Sequence, residues 1–337
     1  MNQDKYNAAK GCLLGALVGD AAGATLEFLQ HDPTSKEVDW AMSMPGGGNL
    51  QVAPGQITDD GELTLCLALA LAESKTFDLE AIARNYAKWV ESNPFDMGFT
   101  TSSSLGSYRH TDVSKEGYAR VMKRSASKYC LYSKANGSLM RNTPLGIWGH
   151  NLEVLEIADY ARQDTSLSHP NPSCGFAVAC YSIAIASLIE YPGNRNLAFN
   201  NARNWLNSQE SLAKDSYEYT SWKQISSWLD DAENKVNVAY FPQIGFIKIA
   251  FTHAFRHLLL GSDYQDAITE TLAGGGDTDT NACIIGGLIG AAVGVDRIPE
   301  NMREAVLNCD TTLGQHPRPA FLHPRQVDRL IPQLLNL

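Results

Sequence analysis

Apolar residues recur along most of the chain at intervals of three and four, the spacing of one face of an α-helix. After Asp78 the apolar positions Leu79, Ile82, Ala83, Tyr86 and Val90 follow this rule, and Asp78 can cap the first turn. Ser262 and Gln265 have the spacing of a capping box for a helix that ends near Leu272. Residues 176–189 and 246–260 are apolar on most faces and so predict central, buried helices. No series of alternating strands joined by hairpin turns is present. Loops are predicted at 32–61, 93–105, around Gly137, at 166–173 and at 274–279. Residues 106–134 are polar and basic, which predicts a surface helix with flanking loop. With no repeat, low-complexity tract or linker, the pattern predicts an all-α fold in a single domain over residues 1–337.

A chain of 337 residues, 44% of them hydrophobic, is ample for a sizeable core. The formal net charge of -10 repels polyphosphate backbones, which argues against general nucleic-acid binding. It leaves room for one small anionic ligand, and for nucleic acid as a modified substrate, because bound cations reverse a local field. The seven cysteines are odd in number and scattered, with no CxxC pair, so buried reduced thiols and a cytoplasmic location are expected. Residues 12–18 after Lys10 resemble the apolar stretch of a signal peptide, but Asp4 precedes them and Asp20 ends the run, so secretion is not expected. No other stretch reaches the roughly 18–20 apolar residues of a membrane span, so no membrane partner is expected. Oligomeric state is not legible.

Two segments concentrate the chemistry. One is Ile57-Thr58-Asp59-Asp60-Gly61, followed by an apolar run at 63–71. The other is Gly274-Gly275-Gly276-Asp277-Thr278-Asp279-Thr280, followed by an apolar run at 282–293. In both, hydroxyls and carboxylates crowd a loop entering a buried helix. A helix cap explains one such side chain, but each segment offers several. Adjacent carboxylates at an apolar helix mouth repel one another and are costly to desolvate. Two divalent cations would neutralise the four charges of Asp59, Asp60, Asp277 and Asp279. The donors are all hard oxygens, which favours magnesium, manganese or calcium over zinc or copper.

Six motifs in order then carry a resemblance. They are the stretch from Gly19-Asp20-Ala21-Ala22-Gly23 to Glu27-Phe28, Thr58-Asp59-Asp60, and Pro94-Phe95-Asp96-Met97-Gly98. Asn136-Gly137-Ser138-Leu139-Met140-Arg141, Ser168-His169-Pro170-Asn171-Pro172 and Gly275-Gly276-Asp277-Thr278-Asp279-Thr280 follow. From about Gly11 to Gly294 the chain resembles the ADP-ribosylglycohydrolase family. The resemblance implies a compact, orthogonal all-α bundle with a two-metal cleft binding Mg2+ or Mn2+. It implies Thr58, Asp59, Asp60, Asp277, Asp279 and Thr280 as metal ligands. Glu27 would act in catalysis or gating, with Asp60 or Asp277 as the other candidate bases. Asp96 would lie near the substrate ribose. Asn136, Gly137, Ser138 and Met140 would surround the diphosphate and adenosine, and His169 would join the ligand pocket. Gly61 departs from the family's usual Thr or Ser, so a local change is expected there. Gly98-Phe99-Thr100 replaces a more usual Gly-Asn-Thr.

The implied reaction is hydrolysis of the bond between ADP-ribose and an acceptor side chain of a modified protein. Arginine is favoured, with serine- and nucleic-acid-linked ADP-ribose, and immunity against an ADP-ribosylating toxin, as alternatives. A two-metal phosphoesterase and a catalytically inactive ADP-ribose binder are the rival readings. Asp20 is read as a loop tie and not as a metal ligand. His253 and His257 lack the glutamate of HExxH, so they are read as packing residues. Tyr129, Tyr132 and Trp148 are read as packing in preference to adenine stacking, and Arg141 as the partner of an acid in preference to a diphosphate ligand.

Overall fold

The computed structural model describes residues 2–74, 76–210 and 213–336. Among them there are α-helices and short 3-10 turns but no strand, only isolated bridges between Gly47 and Val52 and between Ala135 and Phe246. Six helices position the site: α1 (Gln3–Gly23), α2 (Asp59–Glu73), α3 (Leu79–Glu91), α4 (Pro172–Glu190), α5 (Ile247–Leu260) and α6 (Thr278–Val293).

The most extensive helix pair is α1 against α6. Its basis is a glycine at every fourth position of α1, which puts Gly11, Gly15, Gly19 and Gly23 on one face. A Cβ on these would lie 2.3 Å from Gly290 O, 2.4 Å from Gly286 O, 2.1 Å from Ala282 O and 2.4 Å from Asp279 Cα, respectively. The two backbones therefore touch along their length, and no side chain larger than hydrogen fits on this face of α1. The seam runs down to the first turn of α6, where the acidic segment begins.

α4 is buried almost all round. It packs against helices Val154–Thr165, Arg195–Asn207 and Tyr217–Glu233, while α5 packs on α6. α4 is also long and apolar enough to cross a membrane, which the composition reading had not anticipated. In this fold 94% of its most apolar window is buried against other helices. α3 is amphipathic, as its spacing predicts. It buries Ile82, Ala83, Tyr86, Trp89 and Val90, and Asp78 Oδ1 accepts from the amides of Glu80 and Ala81. All seven cysteines are free, and all but Cys309 are buried.

Some local expectations are corrected. The stretch 32–61 contains helix Ser35–Met42, started by a capping box of Thr34 and Glu37. The stretch 93–105 ends in helix Phe99–Leu105, and 106–134 holds two helices, Val113–Glu116 and Tyr118–Tyr129. Ser262 and Gln265 form no capping box. Asp263 occupies the N-cap position, no side chain bonds the free amides, and Ser262 Oγ lies 3.0 Å from His257 Nδ1 instead. The end of the preceding helix has taken the hydroxyl that the spacing assigned to the next helix start.

Candidate active site

Four chain segments meet at one end of the α1–α6 seam. Beyond Gly23 the chain turns and delivers Glu27. α2 opens at Asp59 with Thr58 as its N-cap, and α6 opens at Thr278 with Asp277 as its N-cap. The loop carrying Asn136 is tied to the start of α5, with Asn136 N donating to Gly245 O at 3.1 Å and Ile247 N to Lys134 O at 2.9 Å. Neither Thr58 nor Asp277 makes a side-chain capping bond. The capping explanation of the two acidic segments therefore fails, although both helix starts present the positive end of a dipole to the carboxylates.

Oxygens of Asp20, Asp60 and Asp279 lie within 4.8 Å of one another, and so do oxygens of Glu27, Asp277 and Asp279. Asp279 belongs to both groups. Asp20 does the tying expected of it. Its carboxylate accepts from Thr58 N at 3.0 Å, Thr58 Oγ1 at 2.8 Å and Gly61 N at 2.8 Å. It also explains the unusual Gly61, because a Cβ there would stand 2.5 Å from Asp20 Oδ2. Glu27 Oε2 accepts from Thr278 N at 2.8 Å and Thr278 Oγ1 at 3.1 Å. Asn136 Nδ2 donates to Asp277 Oδ2 at 2.7 Å. Thr58 Oγ1 and Thr280 Oγ1 lie 3.1 and 3.4 Å from Asp60 Oδ2, while Asp60 Oδ1 is buried without a partner among the described residues.

Burial holds the carboxyls of Asp59, Asp60 and Asp279 well above the ordinary aspartate range, reinforced by the like charges around them. Burial likewise raises Glu27 to about 7, with Asp277 adding to the effect, and raises Asp277 and Asp96. No lysine or arginine pairs with these six groups among the described residues. An all-oxygen donor set with one orphaned carboxylate oxygen fits hard divalent cations. The two groups that would hold such ions are Asp20, Asp60 and Asp279, and Glu27, Asp277 and Asp279. Asp20 thus joins a ligand group in addition to its tying role, against its reading as a tie alone, while Asp59, read as a ligand, joins neither.

Above these groups opens a cavity of about 250 Å³. Of the residues singled out from the sequence, Glu27, Asp59, Asp96, Asn136, Gly137, Met140, His169, Asp277, Asp279 and Thr280 line it. Thr58, Asp60 and Ser138 are buried and do not line it, and the Ser138 hydroxyl has no partner among the described residues. Phe99, noted in the sequence as a departure, also lines it, and so do Phe28, Thr101 and Ile244, which were not anticipated as lining residues. Phe28 stands at φ 60, a left-handed conformation uncommon for an aromatic residue, and is 49% exposed directly after Glu27. No spacing in the sequence signals it. Phe99 lay inside a segment read as loop.

On the other wall, His169 Nδ1 lies 2.8 Å from Ser168 Oγ. Arg141 is fully buried. It bonds Asp164 Oδ2 through Nε at 3.1 Å and Ser168 Oγ through Nη1 at 2.8 Å, and it lies over the Tyr86 ring. Tyr86 OH and Asn142 Nδ2 also donate to Asp164, both at 2.8 Å. Arg141 thus pairs with an acid, as expected. His253 and His257 are buried packing residues. His253 bonds Val238 O at 2.8 Å and stacks on Tyr240. Trp148 is buried against Tyr160, whereas Tyr129 and Tyr132 are exposed and so are not the packing residues expected.

Fold and site together define an all-α protein with a buried, oxygen-lined acidic floor beneath a small cleft. The chain belongs to the ADP-ribosylglycohydrolase family, whose profile matches residues 1–330. It is 29% identical over 297 residues to the ADP-ribosyl-[dinitrogen reductase] glycohydrolase of Rhodospirillum rubrum, covering 87% of this chain and 88% of that one. It is 26% identical over 312 residues to an ADP-ribosylarginine hydrolase of Pseudomonas putida, covering 90% of this chain and 75% of the other. A solved structure titled ADP-ribosylglycohydrolase-related protein complex shares the fold, with a TM-score of 0.72, 20% identity and 99% of both chains covered.

Proposed function

We propose that this protein hydrolyses the glycosidic bond between ADP-ribose and an arginine side chain of a modified protein, with two Mg2+ or Mn2+ ions. The carrying observation is the acidic floor, in which Asp279 joins two carboxylate groups that lack any cationic side chain. Divalent ions held there would supply Lewis-acid polarisation and a template for ribose hydroxyls and water. Glu27 faces the cavity with one oxygen anchored on Thr278, so its carboxylate is held in one orientation. That carboxylate is the candidate to take a proton from an attacking water. Charge develops towards an oxocarbenium ion as the acceptor leaves. Asp96, Asn136 and His169 line the wall on which the ADP-ribose would be oriented. The relative named for ADP-ribosylarginine supports arginine as the acceptor. The free, mostly buried cysteines support a reducing, cytoplasmic setting.

The test presents arginine-, serine- and nucleic-acid-linked ADP-ribose with Mg2+, with Mn2+ and with chelator, and measures released ADP-ribose. Release from the arginine substrate that needs metal is expected. Release from the serine or nucleic-acid substrate alone would move the acceptor assignment. Equal release with and without chelator would remove the metals from the reading.

A further inference from the structure

We propose that Arg141 and Ser168, neither of which lines the cavity, are positioning residues that lock His169 as a hydrogen-bond donor to an oxygen of the bound ligand.

The argument is a proton count along a buried chain. Arg141 is a pure donor, because a guanidinium has five N–H groups and no acceptor. Its Nη1, 2.8 Å from Ser168 Oγ, therefore donates to that oxygen. The other recorded partner of Ser168 Oγ is His169 Nδ1, at 2.8 Å. Ser168 is fully buried. Its single hydroxyl proton must go to Nδ1, or a buried donor is left unmade at a cost well above that of an ordinary lost contact. Donation from a cation also polarises the hydroxyl and makes it a stronger donor to the ring. With Nδ1 accepting, the ring proton resides on Nε2.

Three observations fix where that N–H goes. His169 lines the cavity, and Nε2 has no protein partner among the described residues. His169 is buried beside Gly137, where a Cβ would lie 3.0 Å from the ring Cε1 and 3.2 Å from Nε2, so glycine at 137 keeps the Nε2 edge of the ring clear. Arg141 is itself immobilised, by Asp164, by the Gly137 carbonyl at 3.4 Å and by the Tyr86 face. The chain Asp164–Arg141–Ser168–His169 thus ends in one outward donor. An oxygen acceptor, such as a phosphate or hydroxyl oxygen of ADP-ribose, suits it. This inference rests on reading the cavity as an ADP-ribose site, but the ring tautomer does not depend on that reading.

The test has two readouts. Long-range ¹H–¹⁵N spectra of histidine-labelled protein at pH 7 report the His169 tautomer without ligand. The Nε2–H form is expected in the original protein, a mixture in Ser168→Ala, and the Nε2–H form again in Ser168→Thr, which keeps the hydroxyl. Calorimetry with ADP-ribose is expected to show about tenfold weaker binding for Ser168→Ala, the worth of one hydrogen bond to a charged acceptor, with recovery in Ser168→Thr. A fold defect alone would lower thermal stability in proportion and leave the surviving tautomer unchanged. An Nδ1–H ring or an imidazolium in the original protein overturns the proposal, and so does a Ser168→Ala variant that binds ADP-ribose normally. If the original protein shows the Nε2–H ring but binds no ADP-ribose, the ligand reading fails while the relay stands.

Discussion

Two buried polar regions, one flooring the cavity and one behind His169, are built on opposite principles. On one side Arg141 and Asp164 are fully enclosed, and each is matched: guanidinium to carboxylate, with Tyr86, Asn142 and Ser168 occupying further positions. On the other side Asp59, Asp60, Asp277 and Asp279 crowd together with Glu27 and Asp96 and meet no cationic side chain. The same contrast occurs within one turn of α2. Glu62, three residues after Asp59, is buried but clamped by Arg318 at 2.6 Å and by Trp89 Nε1 at 2.7 Å. A buried charge that serves the fold brings its counter-charge with it. A buried charge left unmatched is waiting for one from outside the chain.

The sharpest way to break this contrast is to remove a partner on the matched side. Asp164→Ala strands the Arg141 guanidinium, which is expected to destabilise the protein by about 3–5 kcal/mol in urea unfolding. A loss near zero would mean that the network is not structural. On the unmatched side the expectation is reversed. Asp279→Ala should lower turnover on the order of 10²-fold or more, yet the chelator-treated variant should melt at or above the temperature of the original protein, because one of several like charges is gone. A large drop in that melting temperature would show that Asp279 supports the fold.

Next in size is the effect of the ions. Manganese at about 100 times its dissociation constant should add about 2.7 kcal/mol to unfolding stability for each site filled, and much less to Asp279→Ala. An equal gain in both proteins would place the ion elsewhere. The smallest effect concerns His169, which burial first and Arg141 second depress to about 3. The unfolded histidine binds its proton near pH 6.5 while the folded one stays neutral, so stability is complete above that pH and declines as pH falls towards 3. Between pH 6 and 5 the original protein should lose about 1 kcal/mol more than His169→Gln. Parallel pH profiles for the two proteins would show that His169 is protonated in the fold.

The helical spacing, the central buried helices and both acidic segments were legible, because each depends on residues close in sequence. The site's lining was legible only through the order of six motifs. What stayed hidden was set by contacts and backbone turns that the helical spacing does not encode. Asp20 was legible as a loop tie, but its partners Thr58 and Gly61, some forty residues on, were not. Ser262 left its capping position for His257. Phe28 takes its left-handed turn with no glycine or asparagine to announce it. The glycines at every fourth position of α1 were visible but unread, since their meaning depends on α6, more than 250 residues further on.

That seam has a consequence for how the site tolerates change. Most helix pairs meet through side chains, which can be exchanged and can settle by fractions of an ångström. Here the contact is main chain against main chain, so the relative placement of α1 and α6 is quantised. The next arrangement that keeps glycine facing backbone is four residues away, about 6 Å along the helix. Such a step would carry the chain leading to Glu27 clear of Asp279. The register is either right or lost, with nothing between, and sequence drift elsewhere in the core can proceed without detuning it.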